Sequence, residues 1–212
     1  MKLSPEIQEQ LDLGHLLPVM EDFYTIQGEG RNTGYAAYFI RLGGCDVGCH
    51  WCDVKESWDA ERHPLRPVEE VVAEAMRHEA KSIVITGGEP LMYNLEPLTT
   101  TLHRENVSIF LETSGAYPMS GHFDWVCVSP KKFKAPRPDM LERADELKVI
   151  VFNKHDFDWA EQHARAVRPD CALFLQPEWS KCEQLLPEII EYVKRNPQWR
   201  VSLQTHKYMH IP

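Results

Sequence analysis

The sequence predicts an α/β fold in which crossover helices connect a mostly parallel sheet, open or curled into part of a barrel. Three observations predict it. Short β-rich runs alternate with amphipathic helical patterns along most of the chain. The 212 residues suffice for one sizeable hydrophobic core. Small, polar and charged residues gather just after successive strand patterns, where parallel sheets place their ligands.

Taken in order, the first 18 residues carry no recognisable motif and are read as an N-terminal extension, with 19–212 as a single domain. The first strand pattern is YFIRL at 38–42, a β-branched and aromatic run ended by Gly43-Gly44. PVEEVVAEAMRHE at 67–79 sets Val68, Val71, Val72, Ala75 and Met76 on one helical face. SIVIT at 82–86 ends in Gly87-Gly88-Glu89-Pro90, and LEPLTTTLHREN at 95–106 is the next helix. VSIFLE at 107–112 ends in Thr113-Ser114-Gly115, and WVCVS at 125–129 leads into Pro130-Lys131. LKVIV at 147–151, the helix DFDWAEQHARAV at 156–167 and ALFLQ at 172–176 follow, the last meeting Pro177-Glu178. CEQLLPEIIEYVKR at 182–195 is the last helix and VSLQT at 201–205 the last strand, ending at His206-Lys207. Strands joined by crossover helices must run parallel, so these ends fall on one rim.

Composition excludes several function classes. The net charge of -9, from 32 acidic and 23 basic residues, argues against a broad nucleic-acid surface. No run approaches the ~20 apolar residues of a membrane span, and the first residues lack a signal peptide's apolar stretch. A cytoplasmic protein with reduced cysteines is expected. KKFKAPR at 131–137 reads as a solvated loop, against the alternative that Lys131, nearest the strand end, reaches an anionic ligand.

Six cysteines are present, and Cys45, Cys49 and Cys52 fall within eight positions. Three readings compete. Free thiols in a loop fit poorly with Gly43, Gly44 and Gly48, which let a backbone wrap closely around something. A structural zinc site needs a fourth ligand such as His50, and no second spaced pair lies nearby. An iron-sulfur cluster held by three thiolates leaves one iron open to a substrate or cofactor. Cys127, Cys171 and Cys182 read as small buried hydrophobes.

The spacing C-x3-C-x-aromatic-C, with Trp51 as the aromatic, resembles the hallmark of the radical S-adenosylmethionine superfamily, and GGEP at 87–90 resembles its second motif. EDFYTIQGEG at 21–30, GYAAYFIRLGGC at 34–45 and LQTHKYMHIP at 203–212 are similar to the 7-carboxy-7-deazaguanine synthase family, from about residue 19 to residue 212. The resemblance implies a partial, incomplete TIM-like barrel of mostly parallel strands. It implies a [4Fe-4S] cluster on Cys45, Cys49 and Cys52. Ile26, Gln27, Gly28, Glu29, Arg41, Thr86, His206 and Pro212 would meet substrate. Gly88, Glu89, Ser129, Lys131, Gln176, Pro177, Glu178 and Trp179 would meet S-adenosylmethionine. The implied reaction is a radical ring contraction of 6-carboxy-5,6,7,8-tetrahydropterin to 7-carboxy-7-deazaguanine with release of ammonia, in queuosine biosynthesis. Implied partners are an electron donor such as flavodoxin or ferredoxin and a second copy of the chain.

The residues lend this reading their own support. Gln27 offers donors and an acceptor and Glu29 offers acceptors, the mixture a pterin's guanidine-like edge needs when buried. Arg41 suits a carboxylate through its planar fork, against the plainer reading of a surface ion pair. His206 is singled out by its place at the last strand end. One departure concerns Mg2+: the family's usual threonine is Val54 here, which has no side-chain oxygen, leaving Asp53 or substrate oxygens for the ion. Two alternatives stand beside this reading: another small radical enzyme, such as an activase of glycyl-radical enzymes, and a zinc-stabilised interaction module.

Overall fold

The computed structural model describes residues 3–212. Its strands are β1 (Leu16–Ile26), β2 (Ala36–Leu42), β3 (Leu65–Pro67), β4 (Ser82–Gly87), β5 (Ser108–Thr113), β6 (Trp125–Val128), β7 (Glu146–Val151), β8 (Ala172–Pro177) and β9 (Trp199–Val201). The helices are α1 (Pro5–Asp12), α2 (Val68–Ala75), α3 (Glu96–Arg104), α4 (Pro138–Arg143), α5 (His155–Ala164), α6 (Cys182–Arg195) and α7 (Thr205–Met209). All nine strands share one sheet, in the order β3-β1-β2-β4-β5-β6-β7-β8-β9. Every neighbouring pair from β2 to β9 is parallel, and β1 runs antiparallel to both β2 and β3. The sheet does not close, which bears out the expected partial barrel.

The two faces of the strands differ as a period of two requires. On β7, Leu147, Val149 and Val151 are fully buried in the core with Ile83, Ile85, Ile109, Leu111, Val126 and Val128 of neighbouring strands. Helices cover this face through Val71, Val72 and Ala75 of α2, Leu98 and Leu102 of α3, Ala160 of α5, and Leu185 and Ile189 of α6. Burying each large side chain stabilises the fold by roughly 1.5–3 kcal/mol. The alternate residues of β7, Glu146, Lys148 and Ile150, take the other face, as do Glu112 of β5, Cys127 of β6 and Gln176 of β8, their register partners along the row.

Three local expectations are corrected. The last strand is Trp199–Val201 rather than 201–205: Ser202–Gln204 leave the ladder, and Thr205 opens α7. Its amide and its hydroxyl both donate to the Gly28 carbonyl, at 2.9 and 3.0 Å, so the tail is drawn to the turn after β1. β1 and α1 were not expected. β1 runs through the boundary placed after residue 18, with Leu17 fully buried, and α1 is started by the Ser4 hydroxyl, which accepts from the Ile7 amide at 3.3 Å. The helices otherwise fall close to their predicted spans, and α6 continues through Pro187.

Glu146 at the start of β7 is 2 % exposed. One of its oxygens accepts from the Arg31 amide and from Trp125 Nε1, both at 3.1 Å, while Oε1 has no partner among the described residues. Burial pushes this carboxyl up to about 7, against the pull of the Lys148 ammonium. A raised acid is easier to ionise unfolded, so stability is lost as pH rises from about 4.5 to about 7 and stays lower above. Glu146→Gln is expected to stabilise the protein by about 1–2 kcal/mol at pH 8 and by little at pH 4.5. Thermal melts at the two pH values check this, and an equal shift at both would refute it.

Candidate active site

At the carboxyl ends of the parallel strands lies a cavity of about 470 Å³. Among its lining residues are Cys45, Cys49 and Cys52 from the loop after β2. Strand ends supply the rest: Gly87 and Gly88 after β4, Glu112 to Ser114 at β5, Ser129 and Lys131 after β6, Lys148 and Ile150 of β7, and Gln176 to Trp179 after β8. The turn after β1 adds Gln27 to Glu29, and the tail adds Gln204, His206, Lys207 and Pro212.

The cysteine loop is pinned from outside. Gly44 and Cys45 donate their amides to the Ser57 and Trp58 carbonyls at 2.6 and 3.1 Å, and Tyr93 donates its hydroxyl to the Gly43 carbonyl at 2.8 Å. The Gly88 and Glu89 amides donate to the Leu42 and Gly44 carbonyls, each at 2.9 Å, which ties the end of β4 to this loop. Only glycine fits at 88: a Cβ there would lie 2.2 Å from the Gly44 oxygen. All three thiols are free. Burial pushes Cys49 up to about 11 and raises Cys45, so bound metal is what would hold them as thiolates. Three soft donors on one loop, Cys49 buried and Cys45 and Cys52 half-buried, fit an iron-sulfur cluster.

Among the described residues, no group of three His, Cys, Asp or Glu is arranged to hold a single metal ion. Val54 lines the cavity without an oxygen to offer. Asp53 Oδ2 is already taken by Lys207 Nζ at 2.8 Å and Gln204 Nε2 at 3.4 Å. Burial opposes this carboxyl's ionisation, but Lys207 outweighs it and holds the group below its usual range. Val54 thus offers no side-chain ligand for Mg2+, and one of the two Asp53 oxygens is engaged.

The other expected residues fall as follows. Ile26, Gln27, Gly28, Glu29, Arg41, Thr86, Gly88, Ser129, Lys131, Gln176, Pro177, Glu178, Trp179, His206 and Pro212 all face the same cavity. Glu89 does not. It is 1 % exposed, and its carboxylate accepts from Thr113 Oγ1 at 2.6 Å, from the Ser114 amide and hydroxyl at 2.8 and 2.5 Å, and from the Leu91 amide at 3.1 Å. Its side chain is a strut between the ends of β4 and β5 and does not line the cavity. Arg41 has an ion pair, Nε to Glu21 Oε1 at 2.6 Å, and still lines the cavity with Phe23 and Phe39. His206 sits on α7, against Gly28, where a Cβ would meet Nδ1 at 2.2 Å.

The KKFKAPR run is not an open basic patch. Lys131 turns inward, donating to Ser129 O at 2.9 Å and Oγ at 2.5 Å, with burial lowering its ammonium pKa. Lys132 pairs with Asp156, Lys134 with Asp46 at 2.7 Å, and Arg137 with Asp139 at 2.9 Å.

Sequence reasoning missed Glu112, Lys148 and Gln204. Lys148 Nζ lies 2.7 Å from Glu29 Oε2 and 2.9 Å from Glu112 Oε2. Gln204 donates to Glu29 Oε1 at 2.8 Å, and Gln27 reaches Glu112 Oε1 at 3.5 Å. Burial opposes ionisation of Glu29, but Lys148 with Gln204 and Gln176 holds it at about 2. The one available signal was a lysine in the middle of LKVIV, a strand otherwise apolar.

Comparison with known proteins gives the same picture. The profile of the Radical SAM superfamily matches residues 39–154. A 7-carboxy-7-deazaguanine synthase of Flavobacterium psychrophilum is 58% identical over 210 residues, covering 99% of this chain and 100% of that protein. One from Synechocystis sp. is 47% identical over 211 residues, covering 100% of both chains. The crystal structure of QueE from Escherichia coli superposes with a TM-score of 0.79 at 32% identity, covering 95% of this chain and 99% of that one.

Proposed function

The chain belongs to the 7-carboxy-7-deazaguanine synthases of the Radical SAM superfamily, and from that premise we propose how its cavity divides the work. In this reading it makes 7-carboxy-7-deazaguanine, the product for which its relatives are named, by contracting the ring of 6-carboxy-5,6,7,8-tetrahydropterin with release of ammonia, a lyase step of queuosine biosynthesis. The observation that carries the division of labour is that three thiols and a ring of buried acceptors open into one cavity.

Cys45, Cys49 and Cys52 would hold a [4Fe-4S] cluster, leaving one iron for S-adenosylmethionine. Cluster and S-adenosylmethionine together supply, when bound, the carbon radical that removes hydrogen from C6 of the substrate. Gly88, Ser129, Lys131, Gln176, Pro177, Glu178 and Trp179 line the side that would hold S-adenosylmethionine. Gln27, Glu29 and Glu112 would meet the pterin's N–H edge, with Ile26, Gly28, Thr86 and His206 around the ring. Arg41 and the end of the tail at Pro212 would face its carboxylate side. Holding the substrate from several sides matters because a carbon radical takes the nearest suitable hydrogen. Closure by the tail keeps water from the reacting centre.

In this reading residues 19–212, together with the start of β1 at Leu16, form the catalytic domain, working in the cytoplasm as a homodimer with a flavodoxin or ferredoxin as one-electron donor. Among the described residues no helix is long and apolar enough to cross a membrane. The test is anaerobic reconstitution with iron and sulfide, then incubation with reductant, S-adenosylmethionine and the carboxylated pterin. A brown protein with about four irons per chain, releasing ammonia and the deazapurine, is expected. A colourless zinc protein, or an iron protein inert to the pterin, would overturn it.

A further inference from the structure

Lys148 is 4 % exposed on β7 and stands between two carboxylates delivered by distant parts of the chain. Glu29 comes from the turn after β1 and Glu112 from β5, and both place an oxygen within 3 Å of its Nζ. Beyond Lys148, Glu29 also accepts from Gln204 and Gln176, and Glu112 from Gln27 and Cys127. A carboxylate oxygen accepts more than one hydrogen bond, so the pair keeps acceptor capacity toward the cavity both line. Two carboxylates on either side of one buried ammonium would share a proton if no cation lay between them. A shared proton would turn one of the two acceptors into an O–H donor.

We infer that Lys148 is a positioning residue: it keeps Glu29 and Glu112 ionised together, so that the cavity presents an acceptor-only face and selects a ligand edge made of adjacent N–H donors. The inference rests on the pterin reading above, whose amino-pyrimidinone edge carries such donors. Lys148 acts through the carboxylates, so its loss is read in ligand affinity and in the pH dependence of that affinity.

The charged and titratable groups facing Lys148 are Glu29, Glu112 on β5, Cys127 on β6, Glu146 on β7, Lys131 after β6 and His206 on α7. Glu146 titrates near neutrality. The measurement is therefore made in Glu146→Gln protein as well as in the unaltered chain. Anaerobic titration with 6-carboxy-5,6,7,8-tetrahydropterin gives the dissociation constant between pH 6 and 8.5. Glu146→Gln alone is expected to bind with a constant that changes less than about threefold over that range. In Lys148→Met, alone and combined with Glu146→Gln, binding should weaken at least about tenfold at pH 6.5 and recover as pH rises and the shared proton leaves.

A uniform loss at every pH would mean that Lys148 only fills space, and it would overturn the inference, as would unchanged binding or a pH dependence that disappears in the double variant. Should Lys148→Met not fold, the Glu146→Gln titration decides alone: a tenfold weakening toward pH 6 with Lys148 in place would show that the pair already shares a proton. Failure of the pterin reading looks different, because then the unaltered protein does not bind this ligand at any pH.

Discussion

Alanine in place of Cys45, Cys49 or Cys52 is expected to bring turnover to background and to strip the reconstituted protein of most of its iron. Each of the three thiols opens into the same cavity, and the loop between β2 and α2 that carries them is fixed by backbone bonds rather than by the cysteines themselves. Folding should therefore survive while the metal site does not. Alanine at Cys127, Cys171 or Cys182 provides the contrast. These thiols are buried elsewhere, Cys127 within β6 and Cys182 3.5 Å from the Tyr208 hydroxyl, so iron content should stay at the unaltered level. Iron and sulfide analysis with the visible spectrum reads both sets. Retention of a full cluster in any of the first three variants would refute the assignment.

Gly88→Ala is expected to lower kcat/KM by about 100-fold or more while the cluster remains partly loaded. The added methyl would stand 2.2 Å from the Gly44 oxygen and 2.9 Å from Cys45 Cβ. Neither neighbour is the end of a flexible side chain, so the end of β4 and the cysteine loop must move apart, breaking the short bonds from Gly88 and Glu89 that join them. A shift of about 1 Å between the metal loop and the substrate side is enough for a loss of that size. Single-turnover formation of product, measured against iron content, separates misplacement from loss of the cluster. Activity within threefold of the unaltered enzyme would show that the two elements need not touch.

Much of this arrangement was legible in the residues. Strand and helix periods located six strands and four helices and touched a seventh strand at Val201, and the rule that ligands sit at the carboxyl ends of parallel strands pointed to the rim where the cavity lies. The cysteine spacing was legible because it is local. What escaped depends on pairing across distance. β1 reads poorly because Pro18 and the adjacent acids Glu21 and Asp22 interrupt its apolar run, and only its antiparallel partners β2 and β3 make it a strand. Lys148 and Glu112 looked like ordinary strand residues until register set them on the inner face. Glu89 misled for the opposite reason: its motif marks a cofactor loop, yet its side chain is consumed by Thr113 and Ser114, twenty-four and twenty-five residues on. The basic run reads as a solvated loop, but sequence shows its charges without showing Asp46, Asp139 and Asp156 beside them.

The two bonds from Thr205 to the Gly28 carbonyl join positions 177 residues apart, and they fix an order of maturation. On the ribosome, the turn holding Gln27 to Glu29 emerges early but cannot gain its bonds from Thr205 until residue 205 has been made. The cysteine loop is also synthesised long before that moment. Metal delivered to a nascent chain would meet an open, watery basin, whereas metal delivered after release would enter a finished chamber. Assembly of the cofactor is thus best timed to follow translation.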